Sequence, residues 1–132
     1  MPPTIPSPQK ILHVDDDEIL RMITRTALSR HDLGFEIVSC ASAQEALSHL
    51  KQNSPDLFLF DVSMPIVNGI ELLRQIRMDF PHLAQVPTIF ISGQETDKIK
   101  TDDDLHPVIG YIQKPFSPLT LGAQILSLWS KK

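Results

Sequence analysis

The sequence predicts an α/β fold in which a parallel sheet is covered by helices on both faces, and three observations support this. Strand-like apolar runs alternate with segments of helical periodicity along most of the 132 residues. The strand-like runs are almost continuously apolar, which is typical of strands buried on both faces. Four of these runs end abruptly in a polar residue with reactive chemistry. A chain of this length also predicts one domain with one core.

Four strand-like runs end in residues that could form one site. These ends are Asp15 and Asp16 after residues 11–14, Asp61 after residues 57–60, Ser92 after residues 88–91, and Lys114 after residues 111–113. The carboxyl ends of parallel strands lie along one edge, where open α/β sheets place their ligand crevices. Clustered carboxylates repel each other unless a cation neutralises them, and carboxylate oxygens suit Mg²⁺. The lysine and the hydroxyl would then face an anion, such as a phosphoryl group.

The first half of the chain contains two strands and two helices after a proline-rich start. Residues 1–8 include four prolines and predict a disordered tail, which leaves residues 9–132 as the folded domain. A helix over about 17–31 follows the first strand, and a second strand covers 35–41. Ser42 to Glu45 matches a capping box that opens a helix ending near residue 53.

The second half predicts three more strands, and its helical pattern weakens in one place. After the strand that ends at Asp61, Asn68 can cap a helix over about 69–78. The fourth strand is followed by Gln94–Pro107, where Ile99 and Leu105 are the only large apolar residues. A helix there should be short or loosely docked. A fifth strand over about 108–113 and a helix from residue 117 or 118 to about 129 complete the chain.

Composition restricts the classes of partner. The net charge is -4, and Lys131–Lys132 is the only cluster of basic residues, so a nucleic-acid-binding surface is not predicted. Cys40 is the only cysteine, which excludes an internal disulfide and a zinc site of paired cysteines. No apolar stretch approaches the roughly 20 residues of a membrane span, and the first residues lack the order of a signal peptide. We therefore expect a cytoplasmic protein with protein partners.

Four motifs resemble those of the receiver domain of two-component response regulators. They stand in family order and at family spacing over residues 10–130, and they are Val14-Asp15-Asp16-Asp17, Phe60-Asp61-Val62-Ser63-Met64-Pro65 with Gly69, Ile91-Ser92-Gly93, and Gly110-Tyr111-Ile112-Gln113-Lys114-Pro115-Phe116. The resemblance implies a flavodoxin-like, doubly wound sheet of five parallel strands in the order 2-1-3-4-5. With such a sheet as its single domain, the chain resembles the single-domain regulators of chemotaxis.

The resemblance also implies roles for the acidic residues. Asp61 matches the aspartate that a histidine kinase phosphorylates. Asp16 would bind Mg²⁺ directly and Asp15 mainly through water, and the backbone carbonyl of Ser63 would complete the protein ligands. Asp17 is assigned to capping the first helix rather than to the metal.

Three further site residues are implied in the same way. Lys114 and Ser92 would contact the phosphoryl oxygens and offset their charge. Tyr111 matches an aromatic residue whose ring changes position when the site is phosphorylated. The family's lysine–proline peptide is typically cis, so the Lys114–Pro115 bond is expected to be cis.

The resulting hypothesis is a signalling phosphoacceptor rather than an enzyme that turns over a substrate. It would receive phosphate from a histidine kinase or a histidine phosphotransfer protein and switch protein–protein interactions. Residues 94–107 would order only on phosphorylation or partner binding, which predicts a monomer or a weak dimer. Two alternatives remain open. One is an Mg²⁺-dependent aspartyl phosphatase, although such enzymes usually carry a second carboxylate where this chain has Ser63. The other is a receiver-like interaction module that is not phosphorylated.

Overall fold

The computed structural model describes residues 8–30, 32–93 and 103–131. Five parallel strands form one sheet in the order β2-β1-β3-β4-β5, which confirms the predicted fold. The strands are β1 (Lys10–Val14), β2 (Glu36–Cys40), β3 (Leu57–Asp61), β4 (Thr88–Ser92) and β5 (Val108–Gln113).

The described residues contain four α-helices and two short 3₁₀ turns. The helices are α1 (Glu18–Leu28), α2 (Ala43–Leu50), α3 (Gly69–Asp79) and α4 (Leu121–Ser130), and the turns are Pro81–Leu83 and Asp103–Leu105. None of these helices is long and apolar enough to cross a membrane.

The core lies on both faces of the sheet, as the continuous apolar strands predict. Residues of β3 alternate between the two faces. Phe58 and Phe60 join a buried cluster with the apolar sides of α2 and α3, whereas Leu57 and Leu59 join a second cluster with α1 and α4. All four side chains are fully buried. Burying a side chain of this size contributes roughly 1.5–3 kcal/mol, so β3 is held firmly in the middle of the sheet.

The helix boundaries follow the capping residues, with some differences from the predicted spans. Asp17 caps α1 through its side chain, as expected. Asn68 and Glu71 form a complete capping box at α3. At α2 the predicted box is only half formed, because Ser42 accepts from Glu45 N while the Glu45 carboxylate accepts from Ala41 N.

The predicted start of the closing helix was wrong by several residues. Residues 118–120 form a turn instead, and α4 begins at Leu121. Thr120 N donates to the Ser117 carbonyl at 3.1 Å, which closes that turn. The first helix also ends at Leu28 rather than near residue 31, and α2 ends at Leu50.

Two predicted segments fall largely outside the described residues. These are the proline-rich tail, of which only Pro8 is described and is buried, and the fourth helix within residues 94–107. The last part of that second segment forms the 3₁₀ turn Asp103–Leu105, and Leu105 is completely buried. The turn therefore packs into the core just before β5 begins.

Candidate functional site

Three carboxylates meet at the carboxyl edge of the sheet. β1 and β3 are neighbours with Val14 opposite Phe60, so the residues that follow them emerge side by side. One carboxylate oxygen from each of Asp15, Asp16 and Asp61 lies within 4.8 Å of the other two. Asp15 and Asp61 are buried, whereas Asp16 is exposed. Three hard oxygen donors on one open crevice fit a divalent cation such as Mg²⁺, which keeps part of its water shell.

The turn between β1 and α1 holds Asp15 in place. Asp17 N donates to Asp15 Oδ1 at 2.9 Å, and the Arg21 guanidinium donates to the Asp15 carbonyl at 2.8 Å. The Asp17 side chain is occupied as the cap of α1, because it accepts from the amides of Ile19 and Leu20. The three consecutive aspartates therefore have three different environments, and only Asp15 and Asp16 join the cluster.

The loop after β3 shapes the site around Asp61. Ser63 N donates to Asp61 Oδ1 at 3.1 Å. The amino end of α3 packs directly on this strand end, since Gly69 N donates to the Val62 carbonyl. A Cβ atom at position 69 would lie 2.3 Å from the Asp61 carbonyl oxygen. Glycine is therefore required at position 69 for α3 to approach Asp61.

Lys114 reaches the same cluster from the end of β5. Its Nζ lies 3.1 Å from Asp61 Oδ2 and 3.5 Å from Asp15 Oδ2. Its backbone N donates to the Ser92 carbonyl at 2.7 Å, which ties the ends of β5 and β4 together. The Lys114–Pro115 peptide is cis, as the motif predicts.

The electrostatics of the site follow from burial and from like charges held together. Burial and the charge of Asp15 raise the pKa of Asp61, although the Ser63 amide and Lys114 act in the opposite direction. Burial disfavours the charge of Lys114, but its hydrogen bond to Asp61 and the charges of both aspartates outweigh this and raise the pKa of Lys114. The lysine is thus held as a cation against two buried carboxyl groups, and the cluster has excess negative charge that a metal ion would offset.

Ser92 and Tyr111 lie where strand pairing places them. Ser92 is completely buried at the end of β4. The carbonyl of Ile91, the residue before Ser92, accepts from Val62 N. Tyr111 is half-buried in β5, opposite Phe90, and the two rings are stacked with centroids 6.1 Å apart. The sheet thus brings Ser92 to the same edge as Asp61, and the switching role of Tyr111 stays a prediction.

Two features of the structure were missed by reasoning from the sequence. Ile66 has a φ of 70° and is fully exposed in the loop between Asp61 and α3, and the amide of Val67 donates to the Pro65 carbonyl across it at 2.7 Å. A β-branched residue rarely adopts this conformation, and the only local signal was the proline before it. The second feature is the Arg77 side chain on α3, which donates to several main-chain carbonyls. The sequence offers no signal for it.

Comparison with known proteins agrees with this geometry. The family model of the response regulator receiver domain matches residues 11–126 of this chain. A probable transcriptional regulator, ycf27 of Cyanophora paradoxa, is 35% identical over 127 residues, which cover 91% of this chain and 48% of that protein. The chain spans about half the length of the curated relatives that it matches.

Solved structures of similar chains have the same fold over nearly their whole length. The chemotaxis response regulator CheY4 of Vibrio cholerae superposes with a TM-score of 0.78 at 27% identity, covering 90% of this chain and 97% of that one. A CheY-like receiver domain protein from Methanospirillum hungatei gives 0.76 at 27% identity, covering 92% and 94%. The four motifs, the strand order and the match over residues 11–126 lead to one conclusion, that this chain belongs to the response regulator receiver domain family.

Proposed function

We propose that this chain accepts a phosphoryl group on Asp61, with Mg²⁺, from a phosphohistidine on a histidine kinase or a histidine phosphotransfer protein. The observation that supports this best is the contact between the Lys114 ammonium and the Asp61 carboxylate, 3.1 Å apart, beside two further carboxylates. In this proposal the chain stores a signal and does not turn over a substrate. Its output is a change in the surface that it offers to other proteins.

The proposed step is an in-line displacement. A carboxylate oxygen of Asp61 attacks phosphorus, the bond to the donor's imidazole nitrogen breaks, and that nitrogen keeps the electron pair. Lys114 moves from the carboxylates to a phosphoryl oxygen, and the Ser92 hydroxyl donates to another. Asp15, Asp16, Asp61 and the Ser63 carbonyl would hold Mg²⁺, which when bound offsets the negative charge of the carboxylates and the phosphoryl group.

The surface beside the site supports a protein as the phosphate donor. An apolar groove lies between α1 and the chain after β5, and Leu20, Ile23, Lys114 and Phe116 line it. Next to it Met22 and Leu119 are 53% and 84% exposed. Because Lys114 borders both the groove and Asp61, a macromolecule that delivers phosphate to Asp61 would also cover this apolar surface. Such a surface is typical of a protein-binding site.

The proposed output is a protein–protein interaction. The ycf27 transcriptional regulators that this chain resembles are about twice its length. The net charge of -4 over the 132 residues supports contacts with protein rather than with nucleic acid. We propose a monomer or weak dimer that acts in the cytoplasm.

The phosphatase alternative has less support from the geometry. Enzymes of that kind usually use a second carboxylate two residues after the nucleophile as general acid and base. Here that residue is Ser63, whose amide donates to Asp61 Oδ1. No carboxylate at this position is available to protonate a leaving alcohol, so turnover of phosphate esters is not expected.

Labelling with acetyl phosphate tests the proposal. With Mg²⁺ the wild type should gain one phosphoryl group per chain, and Asp61→Asn should gain none because an amide does not attack phosphorus. Asp79→Asn, an exposed carboxyl on α3, is the control for the change in net charge and should label normally. Labelling of Asp61→Asn would refute the assignment. Sustained hydrolysis of p-nitrophenyl phosphate would favour the phosphatase, and Mg²⁺ binding without labelling would favour the unphosphorylated module.

A further inference from the structure

Arg77, near the end of α3, inserts its guanidinium into a group of main-chain carbonyls. Its shortest hydrogen bonds go from Nη1 to Leu83 O and from Nη2 to Val86 O, both at 2.9 Å, and from Nη2 and Nε to Leu105 O at 3.1 and 3.2 Å. Longer contacts of 3.4 Å reach Pro107 O and Thr88 Oγ1. Within the described part of the chain these hydrogen bonds are made to carbonyls and a hydroxyl rather than to a carboxylate.

These contacts join α3 to two separate connections. Leu83 and Val86 lie in the loop between α3 and β4, and Leu105 lies in the turn just before β5. Buried carbonyls require donors, and a guanidinium offers five in a fixed planar fork. Burial lowers the pKa of Arg77 to about 10, so the group is still a cation at neutral pH. It therefore fastens the amino ends of β4 and β5 to α3.

The pairing of β5 with β4 is irregular at this same end. Thr88 lies opposite Val108, but Ile89 lies opposite Gly110, so Ile109 is an extra residue in β5. A bulge of this kind changes the pairing of everything beyond it by one residue, and a shift of one residue exchanges the two faces of a strand. Beyond the bulge, Ser92 pairs with Gln113 and Lys114 N donates to Ser92 O. The place of Lys114 therefore depends on which register β5 adopts.

We propose that Arg77 is a positioning residue for the candidate phosphoacceptor site. Its guanidinium holds together the carbonyls that precede β4 and β5 and thereby selects the bulged register of β5. That register determines where Lys114 lies at the other end of β5, and so places it against Asp61. This inference rests on the proposed function for its consequence in phosphorylation. The structural part, that Arg77 sets the register of β5, stands separately and is measured separately.

The test compares Arg77→Met with Arg74→Met. Methionine keeps the aliphatic length but removes all five donors. Arg74, one turn earlier on α3, is 41% exposed in its side chain and pairs with Asp104 at 3.6 Å, so its replacement removes the same charge and a contact with the same turn. Two quantities are measured at a temperature where each variant is folded, namely amide exchange at Thr88 and Lys114 and the rate of labelling by acetyl phosphate.

The expected result separates the two variants. In Arg77→Met the amides of Thr88 and Lys114, which donate to Pro107 O and Ser92 O, lose protection, and labelling slows by roughly a hundredfold, the effect of a misplaced reacting group. Arg74→Met keeps both amides protected and labels at the wild-type rate. If Arg77→Met does not fold, Arg77→Lys replaces it, because one ammonium cannot reach the Leu83 and Leu105 carbonyls together. That variant should show the same losses to a smaller degree.

Several outcomes would overturn the inference. One is wild-type protection at Lys114 and wild-type labelling in the Arg77 variant, and another is slow labelling with Lys114 fully protected. Equal losses in the Arg74 and Arg77 variants would also contradict it. Failure of the wild type to label would instead refute the proposed function, and the exchange of the Lys114 amide would still decide whether Arg77 sets the register.

Discussion

Asp61 is in an unfavourable place for a charged group. It is 2% exposed, and burial together with Asp15 raises its pKa above the usual value of 3.8. When a folded-state pKa is raised, the folded protein holds the proton more tightly than the unfolded chain does. As the pH rises from the ordinary pKa of an aspartate through the raised pKa of the folded protein, ionisation of Asp61 therefore destabilises the fold. The proposed phosphoacceptor position therefore costs stability when no cation is bound, a common feature of functional sites.

Asp61→Asn should accordingly be more stable than the wild type at pH 7 in the presence of a chelator. The difference should shrink as the pH falls toward 3, where Asp61 is protonated in both states. Mg²⁺ should stabilise the wild type, by about 2.7 kcal/mol at about a hundredfold excess over Kd, and the variant much less. Denaturant unfolding at several pH values measures this. A wild type that is more stable than the variant at pH 7 without metal would contradict it.

Ile66 has backbone strain close to the same site. Its φ of 70° is unfavourable for a β-branched residue, and its side chain is fully exposed, so no burial compensates. Ile66→Asn should raise the free energy of unfolding by about 1 kcal/mol, because asparagine tolerates this conformation. Ile66→Val keeps the branched Cβ and should change nothing. Equal stability of all three proteins in urea unfolding would show that residue 66 is not strained.

At the scale of elements, the start of α1 gives neighbouring aspartates different tasks. Asp17 accepts from two amides of the first turn, which secures the helix, whereas Asp16 lies exposed beside Asp15 and Asp61. A negative side chain near a helix amino end also interacts favourably with the helix dipole. The same short sequence thus begins a helix and supplies candidate metal ligands.

Asp16→Ala and Asp17→Ala should therefore affect different properties. Loss of the cap at Asp17 should cost about 1 kcal/mol of stability and leave Mg²⁺ binding nearly unchanged. Loss of Asp16 should weaken Mg²⁺ binding strongly, by more than Asp15→Ala does, with little effect on stability in chelator. Calorimetric metal titration and thermal unfolding of each variant measure the two effects. If both variants lose Mg²⁺ affinity equally, Asp17 does more than cap the helix and this assignment is wrong.

At the scale of the whole molecule, an apolar groove lies beside α1 and borders the site at Lys114. In the proposed reaction a protein donor would cover the groove, because Lys114 borders both the groove and Asp61, whereas a small phosphate donor would not. The chain offers a matched pair of exposed methionines for testing this, because Met22 is on α1 beside the groove and Met78 is on α3. They are 53% and 74% exposed.

Met22→Glu should slow phosphotransfer from a phosphorylated histidine kinase by roughly tenfold, which corresponds to about 1.4 kcal/mol of lost interaction. It should leave labelling by acetyl phosphate unchanged. Met78→Glu introduces the same charge away from the groove and should affect neither reaction. Slower labelling of Met22→Glu by acetyl phosphate would place the effect in the site itself, and equal phosphotransfer by both variants would show that the kinase does not cover the groove.

The sequence by itself determined the strands and the residues that follow them. Asp15, Asp61 and Ser92 each come directly after a buried apolar run, and the structure places all three at the carboxyl edge of one parallel sheet. This could be predicted because an apolar run and its polar end are neighbours along the chain. Parallel pairing then brings the ends of different strands to one edge without any further information.

Only the tertiary structure decided which side chains contact each other across the sheet and at its other end. Arg77 looks like a solvated charge on a helix surface, yet its acceptors lie up to 30 residues away and become neighbours only when the connections before β4 and before β5 pack against α3. The bulge at Ile109 has no local pattern, and the only local signal for the strained Ile66 is the proline before it. The short-range pattern of polarity determines which elements form, whereas the partners of a buried cation and the register of an edge strand depend on contacts between segments distant in sequence.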